Sequence, residues 1–356
     1  MDKRPNIKSV ADLAGVSIST VSRVLNNSAT VSDELREKVH GAIRDTGYSI
    51  NPIASTLKST RRNQMAIVIP SLRQTYYTDI IKGFSDYCHA RNVLPMILES
   101  SGEPENEQKI IANLEKQWLD GIVFIPSKAG GQEGYGEFAA SLSLLTKNRE
   151  PIPVVLLESG GINRELDCVR VDYEYAFRTL ASHLLEIGRR KIAYLCGPKD
   201  ASVYDISLAG VRSALAEEGG TLQEGCLQES GFTVLEGYHA MNRLLDGGLL
   251  VDGVICANDQ MAAGALWACH ERKIRVPQDI ALVGFGGVAL SIVTAPSVTT
   301  MIVPRYELGY RAAGLLFERL EGRAGNAREI VVKPRLVIRQ STLKTAFKTM
   351  DIMFEE

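Results

Sequence analysis

Residues 7 to 27, Ile-Lys-Ser-Val-Ala-Asp-Leu-Ala-Gly-Val-Ser-Ile-Ser-Thr-Val-Ser-Arg-Val-Leu-Asn-Asn, hold two short apolar stripes with Gly15 between them. Val10 and Leu13 fall on one face of the first stretch, and Val21, Val24 and Leu25 on one face of the second, at the i, i+3, i+4 spacing that buries a stripe. A chain reversing at Gly15 favours positive φ, and Ala11 is small enough for a second helix to approach. Ser17 reads as the N-cap of that second helix. The pattern predicts a helix-turn-helix, with Ile18, Ser19, Ser22 and Arg23 outward near the helix start. Arg23 can fork onto guanine O6 and N7, the serines suit phosphate or base edges, and Ile18 suits a thymine methyl. Alone, the spacing also fits an ordinary helical pair with a solvated face.

At 356 residues the chain is too long for one ordinary core and predicts about two or three compact units. An apolar share of 45% with 23% charged fits a soluble globular protein. Met1-Asp2-Lys3-Arg4-Pro5 is polar, and no run reaches about 18 apolar residues, so the expectation is a cytoplasmic protein without membrane contact. Cys88, Cys168, Cys196, Cys226, Cys256 and Cys269 form no C-x-x-C pair, which supports neither a metal site nor a redox motif; no cofactor is expected. Residues 1 to 62 carry ten Lys or Arg against six Asp or Glu, leaving thirty against thirty-six for the rest. A basic head on an acidic body favours a polyanion at one end.

Beyond the first pair, Ser32 reads as an N-cap ahead of Asp33 and Glu34, and Leu35, Val39 and Ile43 form the stripe of a third helix ending before Gly47. Tyr48 would pack its ring and extend its hydroxyl toward phosphate. Residues 51 to 60 fit a helix of about two turns capped by Asn51 with Pro52 at its first position, or a plain interdomain linker. From Met65 the texture changes. Short apolar runs at 65–69, 94–98, 121–125, 154–157, 191–196, 253–256 and 280–283 alternate with amphipathic stretches near 78–91, 104–117, 135–146, 174–187, 204–218, 233–246 and 259–272. Such alternation predicts an α/β class with doubly wound parallel sheets, and the strand number calls for two half-domains with a cleft between them.

The first stretch resembles the headpiece of the lactose-repressor/galactose-repressor (LacI/GalR) family of bacterial transcription regulators. The residues that carry it are Val10-Ala11-Asp12-Leu13-Ala14-Gly15-Val16-Ser17, Thr20-Val21-Ser22-Arg23-Val24-Leu25-Asn26, Val31-Ser32, Arg36-Glu37-Lys38-Val39, Gly47-Tyr48 and Asn51-Pro52 through Leu57. Further landmarks recur in order: His183 to Ala193, Leu208-Ala209-Gly210, Ala257 to Ala262, Val283-Gly284-Phe285 and Pro296 to Thr300. Together they span residues 6 to 341. The resemblance implies a three-helix headpiece over 1–50, a hinge helix over 51–62, and a core over 63–341 resembling periplasmic sugar-binding proteins. The N-lobe would take about 63–160 and 299–323, the C-lobe about 166–290 and 328–341, with crossings near 158–168, 288–299 and 322–329. It implies DNA contacts from Asn6, Ser17, Ile18, Ser19, Thr20, Ser22, Arg23, Asn26, Ser32, Tyr48, Asn51, Ala54, Leu57 and Lys58, with Leu57 wedging the minor groove between paired hinge helices. Residues 342–356 are too short for a tetramerising coil, so a homodimer on double-stranded operator DNA is expected.

The resemblance also places a small-molecule effector between the lobes, against Tyr76, Tyr77, Glu158, Phe232 and Asn258. Two matches fail. Where relatives carry an Arg before Leu-Ala-Gly and an Asp after Val-Gly-Phe, this chain has Ser207 and Gly286. Losing that pair removes charge-assisted hydrogen bonds to hydroxyls and argues against a free-sugar inducer, leaving the effector unidentified. The basic pair by which relatives in catabolite control dock a phosphorylated carrier protein is also missing.

Other classes fit less well. Gly284-Phe285-Gly286-Gly287 lacks the full dinucleotide fingerprint, no P-loop occurs, and the five histidines make no catalytic arrangement, so an enzyme is not expected. A solute-binding protein for transport shares the core fold but would need an export signal and no basic head. The expectation is a dimeric repressor switched by its cleft.

Overall fold

The computed structural model describes residues 5–25, 31–48, 63–114, 119–127, 135–147, 150–158 and 166–345. The chain divides into two compact units, 1–62 and 63–356.

The first unit is helical: α1 Ile7–Ala14, α2 Ile18–Leu25 and α3 Asp33–Thr46. Asn6 caps α1, accepting from the Ser9 amide at 3.0 Å, and Gly15 ends it in the left-handed region at φ +63°, its N–H returning to the Ala11 carbonyl. Ser17 caps α2 through the Thr20 amide at 3.2 Å. Val10, Ala11, Val21, Val24, Val31, Val39 and Ala42 form the core. Leu13 was expected on the buried face, yet it is 56% exposed, because the inward stripe of α1 runs Ile7, Val10, Ala11, Ala14. Ser32 stands at the N-cap position of α3 with extended backbone, but its side chain makes no capping bond; its carbonyl accepts from Arg36.

The second unit contains two six-stranded sheets. In chain order its elements are β1 Gln64–Ile69, α4 Tyr76–His89, β2 Leu94–Glu99, α5 Pro104–Leu114, β3 Gly121–Phe124, α6 Tyr135–Ser143, the small hairpin β4 Thr146–Lys147 and β5 Glu150–Pro151, β6 Val154–Leu157, and β7 Asp167–Val171. There follow α7 Tyr173–Glu186, β8 Ile192–Cys196, α8 Tyr204–Glu217, β9 Leu227–Glu229, α9 Val234–Asp246, β10 Gly253–Cys256, α10 Asp259–Glu271, β11 Ala281–Gly286 and α11 Leu290–Val293. The last are β12 Thr299–Ile302, α12 Arg305–Leu320, β13 Glu329–Val332 and β14 Arg335–Val337. The first lobe orders its parallel strands β13-β7-β6-β3-β1-β2, and the second β14-β12-β11-β10-β8-β9, with β14 antiparallel to β12.

Both faces of each sheet are covered, which is why the strands read as unbroken apolar runs. Along β1, Met65, Ile67 and Ile69 enter one core while Ala66 and Val68 enter the opposite one with Ile111, Leu114 and Leu142. Helices α4 and α12 cross at backbone contact: a Cβ on Gly83 would run into the Tyr306 carbonyl, and one on Gly309 into the Ile80 carbonyl.

The lobe boundaries differ from those expected. β7 pairs with β6 and β13 in the first sheet, so the chain first crosses between Val171 and Tyr173 rather than near 158–168. β12 pairs with β11 in the second sheet, Val283 opposite Thr299, so the next crossing lies at 302–305 rather than 288–299. β13 returns the chain to the first sheet, and the third crossing lies at 332–335 rather than 322–329. Ladder pairing set these points: β7, β12 and β13 take their sheet from partners distant in sequence, which local periodicity does not record. No helix among the described residues is long and apolar enough to cross a membrane, and no group of His, Cys, Asp or Glu among them is arranged to hold a metal.

Candidate nucleic-acid interface and effector cleft

On α2 the burial of Val21 and Val24 turns the remaining positions outward: Ile18 is 46% exposed, Ser19 and Arg23 are exposed, and Ser22 is half-buried. Ser17 Oγ lies 2.7 Å from Ser19 Oγ and 2.9 Å from Thr20 Oγ1, so three hydroxyls cluster at the start of this helix. With no acidic residue in its first turn, the unpaired amides there favour an anion. Ser32 is exposed and Tyr48 half-buried against the three-helix core. Asn6 is committed to its cap. Asn26, Asn51, Ala54, Leu57 and Lys58 lie outside the described residues.

The second unit has a cavity of about 310 Å³ between its lobes, at the carboxyl ends of the strands. Five of the seven expected effector residues line it: Tyr76, Tyr77, Glu158, Phe232 and Asn258. Tyr76 and Tyr77 open α4, their rings edge to face at 5.5 Å. Glu158 follows β6 at φ +59° and is 3% exposed. Tyr76 Oη donates to its Oε1 at 2.8 Å and Tyr173 Oη to its Oε2 at 2.6 Å. Burial pushes the Glu158 carboxyl up to about 7, against the pull of those two phenols. Burial, with the Glu158 charge beside them, also raises the Tyr76, Tyr77 and Tyr173 phenols. Asn258 caps α10 through the Met261 amide at 2.8 Å and holds the Phe232 carbonyl with its Nδ2 at 2.9 Å, which fixes the Phe232 loop beside the cavity.

Ser207 and Gly286 are not part of the lining. Ser207 is 1% exposed on the inner face of α8, where its hydroxyl donates to the Tyr204 carbonyl and accepts from Tyr194 Oη, both at 2.9 Å. Gly286 ends β11 at φ +117°, with Tyr76 Cδ2 3.4 Å from where a Cβ would stand, and its carbonyl accepts from Arg305 Nη1. A side chain there would be strained by the backbone, although a Cβ would meet Tyr76 at no more than ordinary contact distance.

Four residues that sequence reasoning left unassigned complete the site. Tyr173 opens α7 directly after the first crossing. Phe285 on β11 packs between Tyr173 and Phe177, each ring at 5.2 Å. Asp259 is 1% exposed; it accepts from Thr300 Oγ1 at 2.6 Å and the Val288 amide at 2.8 Å, and burial lifts its carboxyl to about 6. Arg305, at the start of α12, binds Asp79 in its own lobe at 2.6 Å and the Gly286 carbonyl in the other. Asp259 and Phe285 lay inside the quoted landmark motifs, but only folding showed that they face one cavity. A further bridge runs from the Ser202 amide to the Ser127 carbonyl at 3.0 Å, joining the lobes across the cavity mouth.

A helix-turn-helix ahead of two doubly wound lobes with a cleft between them defines a DNA-binding transcription regulator built on a periplasmic-binding-protein-like core. The chain belongs to the lacI family of bacterial regulatory proteins: residues 6–51 match that family and residues 181–342 the periplasmic binding protein-like domain. It is 31% identical to the HTH-type transcriptional repressor PurR of Mannheimia succiniciproducens, over 96% of this chain and 99% of that one. It is 30% identical to the HTH-type transcriptional regulator DegA of Bacillus subtilis, over 95% and 98%. Among solved structures, the lac repressor bound to ONPG in its repressed state superposes with a TM-score of 0.84 at 25% identity, covering 96% of this chain and all of the other.

Proposed function

We propose that the chain is a dimeric, cytoplasmic repressor that binds a pseudo-palindromic operator and is switched by a small molecule held between its lobes. Two copies of α2 enter successive major grooves, with Ile18, Ser19, Ser22 and Arg23 toward base edges and Ser17, Thr20 and Tyr48 toward phosphates. Residues 51–62 form the hinge, with Leu57 at the centre of the site.

The observation that carries this reading is the cavity itself. Its walls come from both lobes, and hydrogen bonds cross between them through Tyr173, Arg305 and Ser202. A ligand that fits only one lobe arrangement shifts the population of that arrangement. The reading assigns no catalysis to this chain, in keeping with relatives that are transcription regulators.

Enrichment of genomic fragments on the purified full chain, followed by competition against random DNA, tests it. Recovery of a recurring inverted repeat whose binding weakens or strengthens with a metabolite supports the reading. Fragments without a shared sequence would overturn it.

A further inference from the structure

The described lining of the cleft contains three carboxylates, Glu158, Asp200 and Asp259, and no lysine, arginine or histidine. The two buried acids are held by neutral groups. Glu158 accepts from two phenols and the Val171 amide, and Asp259 from a hydroxyl and the Val288 amide. The nearest guanidiniums act on Asp259 without bonding to it: Arg305 pairs with Asp79 and the Gly286 carbonyl, and Arg339 donates through Nη1 to Ser291 Oγ and the Val298 carbonyl while its Nε and Nη2 have no hydrogen-bond partner among the described residues. Buried carboxylates without a bonded cation are costly, and the upward shift of both acids reports that cost. Around the same space stand Tyr76, Tyr77, Tyr173 and Phe232, rings of the kind whose faces attract positive charge.

We propose that the effector is a small cation, an amine or quaternary ammonium compound whose charge lies between Glu158 and the surrounding aromatic rings, and that phosphorylated and carboxylated metabolites are rejected. This deepens the effector reading of the cleft and rests on it. An anion entering here would meet Glu158 and Asp259 at low dielectric with no lysine, arginine or histidine among the described lining residues to receive it. A cation would give Glu158 the countercharge it lacks, add a direct partner for Asp259, which feels Arg305 and Arg339 without bonding to either, and gain from the rings as well.

The test is calorimetric titration and thermal shift of the full chain with matched probes: choline against its uncharged isostere 3,3-dimethylbutan-1-ol, and glucosamine against glucose and glucose 6-phosphate. The expected result at about pH 8, where Glu158 is ionised and choline keeps its fixed charge, is choline binding about tenfold or more tightly than its neutral isostere, the partly protonated glucosamine binding more tightly than glucose, and no binding of the phosphate. Glu158→Gln, and independently Asp259→Asn, should shrink that ratio. Equal or tighter binding of a neutral or anionic probe overturns the charge assignment and leaves the effector cleft standing. Failure of every probe to bind overturns both.

Discussion

Tyr173 Oη donates to Glu158 Oε2 at 2.6 Å, and the two residues belong to different lobes: Glu158 ends strand β6 of the first, and Tyr173 opens helix α7 of the second. The crossing strand β7 lies between them in sequence, so this bond clamps the point where the lobes pivot. Above about pH 7, where Glu158 is ionised, a hydrogen bond to such a charged partner is worth about 1.5–3 kcal/mol. Tyr173→Phe should therefore lower the melting temperature by roughly 3 to 6 °C. The same variant should enlarge the core in small-angle scattering; an unchanged radius and melting point would show that the clamp is idle.

The acid in that clamp gives stability a pH dependence of definite sign. Glu158 titrates near 7 in the fold against its ordinary 4.5, so between those values the folded chain keeps a proton that the unfolded chain has lost. The stabilisation is full below about 4.5 and drains away as pH rises through 7, by an amount on the order of 3 kcal/mol. Asp259, raised from 3.8 to about 6, acts in the same direction. The groups facing Glu158 are the phenols of Tyr76, Tyr77 and Tyr173, which are raised and stay neutral through this window, with Arg305 beyond Tyr76. Melting curves from pH 5 to 8 should fall more steeply for the wild type than for Glu158→Gln, and parallel curves would refute the assignment.

Much of the architecture was legible in the sequence because both units obey simple periodicities. Three helices with Gly15 and Ser17 as punctuation were readable from spacing, while Asn6, expected at DNA, proved to be the cap of α1; β6 and β10 fall at the expected residues. Leu13 misled because a helix of eight residues admits two apolar faces, and only the approach of the other helices chose the Val10–Ala11 one. The crossings were misplaced because β7 and β12 are short strands whose sheet membership depends on partners far away in sequence. In the cleft, strand-end position found Tyr76, Glu158 and Asn258, whereas Ser207, taken from the family resemblance ahead of Leu208-Ala209-Gly210, points into the packing beneath α8.

Gly286 shows how a local backbone limits what the cleft can accept. Its φ of +117° is a conformation that side-chain-bearing residues rarely adopt, at a cost of about 1–3 kcal/mol. Gly286→Asp should lower the melting temperature without creating affinity for free sugars, even beside Ser207→Arg. Calorimetry detecting a new sugar affinity in the double variant would contradict this placement.

The crossing of α4 and α12 tolerates nothing larger than glycine. A methyl at Gly309 meets the Ile80 carbonyl and the Phe84 amide, rigid backbone atoms rather than a side chain that could turn away. Gly309→Ala should cost about 2 kcal/mol or more in chemical denaturation, and a loss within error would mean that the helices can separate freely.

The central claim is that the small basic unit reads duplex DNA through the outward face of α2. Fluorescence anisotropy of the full chain on its selected operator and on a scrambled duplex, across a salt series, tests it most directly with Arg23→Ala alongside. The account predicts that the wild type prefers the operator by about a thousandfold or more, that binding weakens steeply with salt, and that the variant loses about tenfold or more of that preference while its core melts unchanged. Full discrimination retained by Arg23→Ala, or binding indifferent to both sequence and salt, would contradict it.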